Sequence, residues 1–523
     1  MSADDRMNLG MFKAYDIRTK AALLDDDHLK RLIISVGRYF KEILKVEKVV
    51  LGRDARIGVT RLLQSALDIF PMMGFEVLVN PLQESTCLFY YSCMQNRDAA
   101  AIMFTASHNP GEYIGLKILA PKMQPIAMGC GPNGGLEAIK QYYIDYKDDY
   151  RFERTGSVRI IQYLESYVNY SMKLAGVEKG MLNGVPILAD FLHGAAGIDV
   201  AMAFDIAGAK LKSRNIVPDG LFPAGDPNPI IIKSIQPTWD EMKRGGYDFG
   251  FCYDGDGDRM DLMDSNGNQI APGFNMAAIA PEIKNIFYKA YEQGVFKGPW
   301  NPQIYSDVKA IPSAMVDLAS TGLGVHIIRN GHSFIKEKLL TNFSNQYLAA
   351  SEESAHYYMN FPINADDWRS GYAPTENTLF FTMLSARMLA FHKERYDELK
   401  KHQDSLFRVR EWPCYFSAAP EKMESILQDV QDEMVRRGAK VISRMDDGSD
   451  LDASLMRFGM PDRIDASTKL NGTWCQVAQR ISRSEDAMTR WEVVSNSESL
   501  CKEMDDAIHK ITDKYVSEGY ANY

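Results

Sequence analysis

YDFGFCYDGDGDR, residues 247–259, places an apolar and aromatic run directly before a loop of alternating aspartates and glycines. The first half reads as a β-strand and the second as a loop at its carboxyl end. The same juxtaposition occurs twice more. AAAIMF at 99–104 reads as a buried strand and runs into TASHNP at 105–110. QYLAAS at 346–351 reads as a strand and runs into SEESAH at 351–356. In open parallel sheets, ligands bind beyond the carboxyl ends of strands. Three units of one plan, each sending one polar loop into a shared cleft, is the fold this pattern predicts.

The flanking sequence supports parallel sheets. KVVL at 48–51 is a short apolar run, 59–73 has helical spacing, FEVLV at 75–79 reads as a strand, and a helix follows around 86–96. VPILADF at 185–191 reads as a strand and continues into HGAAG. QIYSDV at 303–308, a helix near 312–320, VHIIR at 325–329 and a helix from about 333 make the third round. Strands alternating with helices at this spacing imply βαβ units. The end of the chain differs. Residues 421–437 are helical in pattern, AKVISRMDD reads as strand and turn, WCQVAQRI and RWEVVS flank a polar loop, and a helical pattern closes the chain from about 498. Strands grouped between helices predict a separate α+β domain.

At 523 residues the chain is too long for one core. Its formal net charge is −10, with no block of Lys and Arg, so a nucleic-acid-binding face is not expected. The seven cysteines are odd in number and form no CxxC pair, which fits a reducing, cytoplasmic setting. No run of 18 apolar residues exists, so no membrane span is expected.

The loop from Asp254 to Arg259 puts carboxylates at positions 254, 256 and 258. In an extended segment, alternate side chains point the same way, so three oxygen donors converge. Hard oxygen donors favour Mg²⁺ or Ca²⁺. An EF-hand is excluded, because Arg259 and Ser265 stand where that loop needs Gly and Glu. The alternative is a solvated turn, which would leave three like charges unneutralised. The loop TASHNP offers Ser107, His108 and Asn109. Taken alone it reads as a turn capping a helix. A Ser-His-Asp hydrolase lacks its G-x-S-x-G elbow here. A third reading is a serine that carries phosphate, and phosphoserine would add acceptor oxygens to a metal held by the aspartates.

Together the motifs resemble the α-D-phosphohexomutase family, which includes phosphoglucomutases and phosphomannomutases. The resemblance rests on FKAYDIR at 12–18, GRDAR at 52–56, TASHNP, GLKI at 115–118, HGAAG at 193–197, DPNP at 226–229, DGDGDR, GHSFIK at 331–336 and SEESAH, in that order. It implies an α/β fold: three related α/β domains with mixed or parallel sheets and a C-terminal α+β domain around a central cleft. The expected ranges are 1–155, 156–270, 271–405 and 406–523. It also implies roles. Ser107 carries the phosphoryl group and joins Asp254, Asp256 and Asp258 in holding Mg²⁺. Arg18, His108, Lys117 and Arg259 surround the transferring phosphate. His332, Lys336, Glu352 and Ser354 read the sugar. Arg480, Ser482 and Ser484 bind the far phosphate. A hexose 1,6-bisphosphate acts as intermediate and activator, and the chain works as a monomer or homodimer on sugar phosphates.

The sequence departs from the family pattern in places. The last-domain phosphate loop usually reads R-P-S-x-T-E-P, and here RISRSED at 480–486 lacks both prolines. Ser351 and Ala355 stand where Gly is common, and Ile114 where Asn is usual. GHSFIK with ExSxH looks like the dual-specificity phosphomannomutase/phosphoglucomutase branch. Acid-base duty is expected of His108 and Lys117, the latter needing a lowered pKa to act as a base. The alternatives are a phosphoglucosamine or pentose-phosphate mutase, a Mg²⁺-dependent phosphatase or bisphosphate synthase, and an inactive sugar-phosphate-binding protein.

Overall fold

The computed structural model describes residues 8–152, 155–483 and 487–523. The first sheet contains β1 (Ile17–Lys20), β2 (Lys48–Arg53), β3 (Glu76–Gln83), β4 (Ala100–Phe104), β5 (Tyr113–Ala120), β6 (Gln124–Ile126) and β7 (Ser157–Ile160). The second contains β8 (Pro186–Asp190), β9 (Lys210–Arg214), β10 (Phe249–Tyr253), β11 (Met260–Asp264) and β12 (Gln269–Ile270). The third contains β13 (Gln303–Asp307), β14 (Gly324–Ile328), β15 (Tyr347–Glu352), β16 (His356–Asn364) and β17 (Asp367–Glu376). The fourth contains β18 (Phe407–Tyr415), β19 (Lys440–Arg444), β20 (Asp450–Phe458), β21 (Cys475–Ile481) and β22 (Met488–Ser495).

The first three sheets share a plan. In each, one strand has parallel neighbours on both sides: β2 between β3 and β4, β8 between β9 and β10, β13 between β14 and β15. The third member then pairs antiparallel with the strand that follows it: β4 with β5, β10 with β11, β15 with β16. The loops 105–110, 254–259 and 353–355 make these three connections. They are therefore equivalent positions of one architecture, and the three sheets present them to a common cleft. The fourth sheet is antiparallel throughout, in the order β18-β22-β21-β20-β19.

Burial explains the strand composition. Along β4, Ala100, Ile102 and Phe104 face one apolar cluster, and Ala101 and Met103 face another. A strand covered on both faces needs a continuous apolar run. β7 extends the first sheet beyond residue 155, pairing parallel with β3. All four of its residues are exposed, so no apolar run announces it. The fourth sheet docks on the third unit through Met445, Leu451, Leu455 and Ala478, packed against Tyr305, Val308, Ile328, Ile335 and Leu339. Two ion pairs rim this contact, His326–Asp446 and Lys338–Asp447. No described helix is long and apolar enough to cross a membrane.

Candidate active site

The serine loop is braced from below by GRDAR. The Thr105 hydroxyl donates to Asp54 Oδ2 (2.7 Å) and accepts from the Ser107 N–H (2.8 Å). Arg56, fully buried, donates to the carbonyls of Ser107 (2.6 Å), Asn109 (2.5 Å) and Pro110 (2.6 Å). Asp54 anchors that guanidinium at 3.1 Å. Burial pushes the Asp54 carboxyl up to about 6, with Arg56 pulling the other way. The loop holds Ser107 at φ 51°, a left-handed conformation that costs a non-glycine residue about 1–2 kcal/mol. Its Oγ lies 3.3 Å from Asp254 Oδ2 and 3.3 Å from His108 Nδ1.

Asp254, Asp256 and Asp258 are buried, and donor oxygens from the three lie within 4.8 Å of one another. They converge by a different route from the extended segment expected. The loop is a turn, with Gly257 at φ 72° and the Asp258 and Arg259 N–H groups donating back to Asp254 Oδ1 (3.0 and 3.1 Å). Gly255 passes so close to the serine loop that a Cβ there would sit 2.7 Å from the Ser107 carbonyl oxygen. Burial, with Asp258 and Asp256 beside it, pushes the Asp254 carboxyl well up. For Asp258 burial acts in the same direction, but Lys117 and His356 outweigh it and hold it well down. Asp256 Oδ1 is buried without a hydrogen-bond partner. A buried all-oxygen trio with one orphaned acceptor fits a hard divalent cation such as Mg²⁺.

Four cations or potential cations stand around Ser107. Arg18 donates to Asn109 Oδ1 at 2.7 Å and pairs with Asp16. Arg259 Nη2 lies 2.8 Å from His108 Nδ1. A guanidinium only donates, so that imidazole nitrogen must be the acceptor. Burial, and then Arg259 and Arg18, push His108 well below its usual value, so its ring is neutral. Lys117 bridges Asp256 and Asp258. Burial alone would lower its pKa, but the two carboxylates outweigh it and raise it well above the ordinary lysine value. The lowered pKa expected for a lysine base is therefore reversed here.

The third unit supplies the next wall. Glu352 Oε1 accepts from Asn330 (2.9 Å) and the Gly331 N–H (3.3 Å), and its Oε2 from the Tyr358 hydroxyl (2.6 Å). His356 lies between Glu352 (3.1 Å) and Asp258 (3.0 Å), tying the 353–355 loop to the acidic loop. Burial pulls this imidazole down, but Asp258 and Glu352 outweigh it and hold it up at about 9. Ser354 Oγ lies 3.3 Å from His356 Nδ1, and His332 Nε2 is buried without a hydrogen-bond partner. Ser354, His332 and Glu352 all line the cleft. Lys336 is placed elsewhere. Its ammonium is buried in a pair with Glu376 (3.1 Å) and Tyr90 (3.0 Å), outside the cleft lining. Its helix starts at His332, so a residue one turn further on sits below the cleft floor.

The fourth sheet closes the far end of a cleft of about 490 Å³. Arg480 on β21 and Arg490 on β22 are cross-strand partners, and both pair with Glu411 at 2.8 Å. Lys309 approaches the same carboxylate at 3.8 Å. Ser482 is buried behind them, its N–H donating to the Met488 carbonyl at 2.8 Å. Ser484 lies outside the described residues. Sequence reasoning did not find Tyr15, Lys309, His356 or Glu411 as cleft residues. Tyr15 and His356 sit inside quoted motifs, and Lys309 follows a strand at its carboxyl end, which is a usable signal. Glu411 had none.

Two family models match the chain. Domain I of phosphoglucomutase/phosphomannomutase matches residues 10–128, and domain II matches residues 162–267. The phosphohexose mutases of Xanthomonas campestris are 26% identical over 372 residues, spanning 70% of this chain and 76% of the relative. The phosphomannomutase of Escherichia coli K12 is 28% identical over 359 residues, spanning 67% and 73%. Among solved structures, a phosphoglucomutase/phosphomannomutase family protein of Burkholderia thailandensis superposes with a TM-score of 0.74 at 19% identity, covering 99% of both chains. An N-acetylphosphoglucosamine mutase of Aspergillus fumigatus, solved with GlcNAc-6P and magnesium, gives a TM-score of 0.56 at 15% identity, covering 96% of this chain and 95% of that one. With the serine and acidic loops joined in one cleft and both family models matched in order, the chain belongs to the phosphoglucomutase/phosphomannomutase family, the α-D-phosphohexomutases, and is a mutase of the intramolecular phosphotransferase class.

Proposed function

We propose that the enzyme interconverts hexose 1-phosphate and hexose 6-phosphate, with mannose or glucose as the hexose and Ser107 as the phosphate carrier. The observation that carries this reading is the 3.3 Å approach of Ser107 Oγ to Asp254 within the aspartate trio, at one end of a cleft whose other end gathers Arg480, Arg490 and Lys309. A mutase needs two anion sites at the two ends of one sugar, because the phosphates exchange places.

Asp254, Asp256, Asp258 and the phosphorylated Ser107 are the groups that would hold Mg²⁺. When bound, the ion supplies charge neutralisation at the equatorial phosphoryl oxygens. Arg18 and Arg259 add donors to the same phosphoryl group. Lys117 gives a proton to the Ser107 oxygen as its bond to phosphorus breaks and recovers one from the sugar hydroxyl as the new oxygen–phosphorus bond forms, so each transfer returns the ammonium to its starting state. Phosphoryl transfer through a loose transition state depends mostly on positioning and charge, so a neutral His108 suits orienting Arg259 and the serine. His332 and Ser354 meet sugar hydroxyls, and Glu352 holds the loop that carries His332. Arg480, Arg490 and Lys309 take the far phosphate, with the guanidinium groups suited to bidentate contact. The intermediate is then a hexose 1,6-bisphosphate that turns around before returning its other phosphate.

Intact-mass measurement before and after incubation with glucose 1,6-bisphosphate and Mg²⁺ tests the carrier. The expected gain is one phosphate, localised to Ser107 by peptide mapping. A gain elsewhere, or none in an enzyme that still isomerises, refutes the reading. Assays with mannose, glucose and N-acetylglucosamine phosphates decide the sugar. Release of inorganic phosphate without isomerised product would favour a phosphatase.

A further inference from the structure

Glu411 is a carboxylate where a phosphate is expected to bind. Its Oε1 accepts from Arg480 Nε (3.0 Å) and Nη2 (2.8 Å), its Oε2 from Arg490 Nη1 (2.8 Å), and Lys309 Nζ lies 3.8 Å away. The three cations and Glu411 all line the cleft. Together they outweigh burial and hold the carboxyl well below its usual range, so it is ionised.

The backbone is shaped to put it there. β18 pairs with β22 in regular register at Val409↔Val493 and again at Trp412↔Trp491, so three steps on β18 match two on β22. This is a β-bulge, and an extra residue re-aims the side chains around it. Val409 and Trp412 both pack into the fourth sheet's apolar cluster. Strict alternation would send residue 411 to the same side as Val409. The bulge instead gives both Arg410 and Glu411 to the cleft.

We infer that Glu411 is a built-in counter-anion of the distal phosphate site, a positioning residue that holds Arg480, Arg490 and Lys309 together when that site is empty and competes with phosphate for their donors when it is filled. The inference rests on those three cations being the distal phosphate site, as proposed above. Two effects follow from charge. Without Glu411, three cations would repel one another. With it, part of the attraction for phosphate is given up, which weakens retention of a bisphosphate that has to leave the site to turn around.

The test is steady-state kinetics with a hexose 1-phosphate, together with competitive inhibition by inorganic phosphate. Glu411→Gln keeps the shape and removes the charge. The expected result is a KM and a phosphate Ki each lowered about five- to tenfold, with kcat lowered because the bisphosphate is held longer. Glu411→Asp restores the charge and should return KM towards wild type. Glu411→Met is a second charge-free variant with the same expectation, should the glutamine protein fold poorly. An unchanged or raised KM and Ki in the charge-free variants, alongside an Arg480→Gln variant whose KM rises tenfold or more, overturns the inference alone. An Arg480→Gln variant with unchanged KM and phosphate inhibition overturns the distal-site reading beneath it.

Discussion

Ser107 sits in a strained backbone conformation that only its surroundings maintain. Arg56, Asp54 and Thr105 fix its carbonyl and N–H, and none of their bonds uses the serine hydroxyl. Ser107→Ala should therefore lose at least 1,000-fold in kcat, on the order of 4 kcal/mol, while its melting temperature stays within about 2 °C of wild type. A variant with near-normal turnover would remove the carrier role. A second residue gives a pH signature. Glu84, buried just after β3 and against Gly52 of β2, is pushed by burial up to about 8, and its oxygen accepts from Asn80 at 2.8 Å. Its folded pKa lies above its unfolded one. Between about pH 4.5 and pH 8 the unfolded chain sheds this proton while the native chain keeps it, so stability falls as pH rises through that window. Glu84→Gln keeps the neutral form's shape. It should leave stability at pH 4 nearly unchanged and raise it at pH 8 by on the order of 3 kcal/mol, read by urea denaturation at both pH values. Asp199, pushed up to about 7, leaves a residual slope. The residues legible in the sequence were those whose chemistry repeats locally, the Asp trio and the Ser-His-Asn turn. Glu411 and Lys309 were not, because their meaning depends on which cations and anions other strands bring beside them.

At the scale of elements, the site is three loops in one topological position, each after the last parallel strand of its sheet. That recurrence was legible, since an apolar run followed by a polar loop is a local pattern. The hydrophobic helix at Thr378–Phe391 was not, because it is buried nearly all round and has no periodic face to read. The bulge in β18 was equally silent, since one extra residue in a strand leaves no mark in composition. Loop contact, not loop identity, is what the site requires. Gly255→Ala places a Cβ 2.7 Å from the Ser107 carbonyl oxygen, so the two loops must part by a few tenths of an ångström. The expected outcome is a tenfold or larger fall in kcat and a higher Mg²⁺ concentration for half-maximal rate, with modest loss of stability. Titrating Mg²⁺ in the assay checks it. An alanine variant with an unchanged Mg²⁺ profile would show that the two loops do not share an ion.

At the scale of the molecule, charge is distributed against the average. The chain carries a formal net charge of −10, yet nine Lys and Arg residues line the cleft against five Asp and Glu. Total charge was legible from composition, while its segregation was not, because it depends on the fourth sheet docking over the third unit. A concave, low-dielectric site with an excess of one sign focuses its field and raises the local concentration of an opposite charge. Dianionic sugar phosphates should therefore be drawn in against the protein's overall repulsion, and salt should screen the attraction. Raising KCl from about 20 to 300 mM at fixed Mg²⁺ should lower kcat/KM several-fold, mainly through KM, because the Debye length shortens to within the span of the cleft. An uncharged hexose acting as a weak competitive inhibitor should show no such dependence. If both respond alike, salt is acting on domain docking through the exposed Lys338–Asp447 and His326–Asp446 pairs. A salt-dependent melting temperature would then accompany the kinetic change. If only the phosphorylated ligand responds and melting does not move, the nine cations are steering substrate into the cleft.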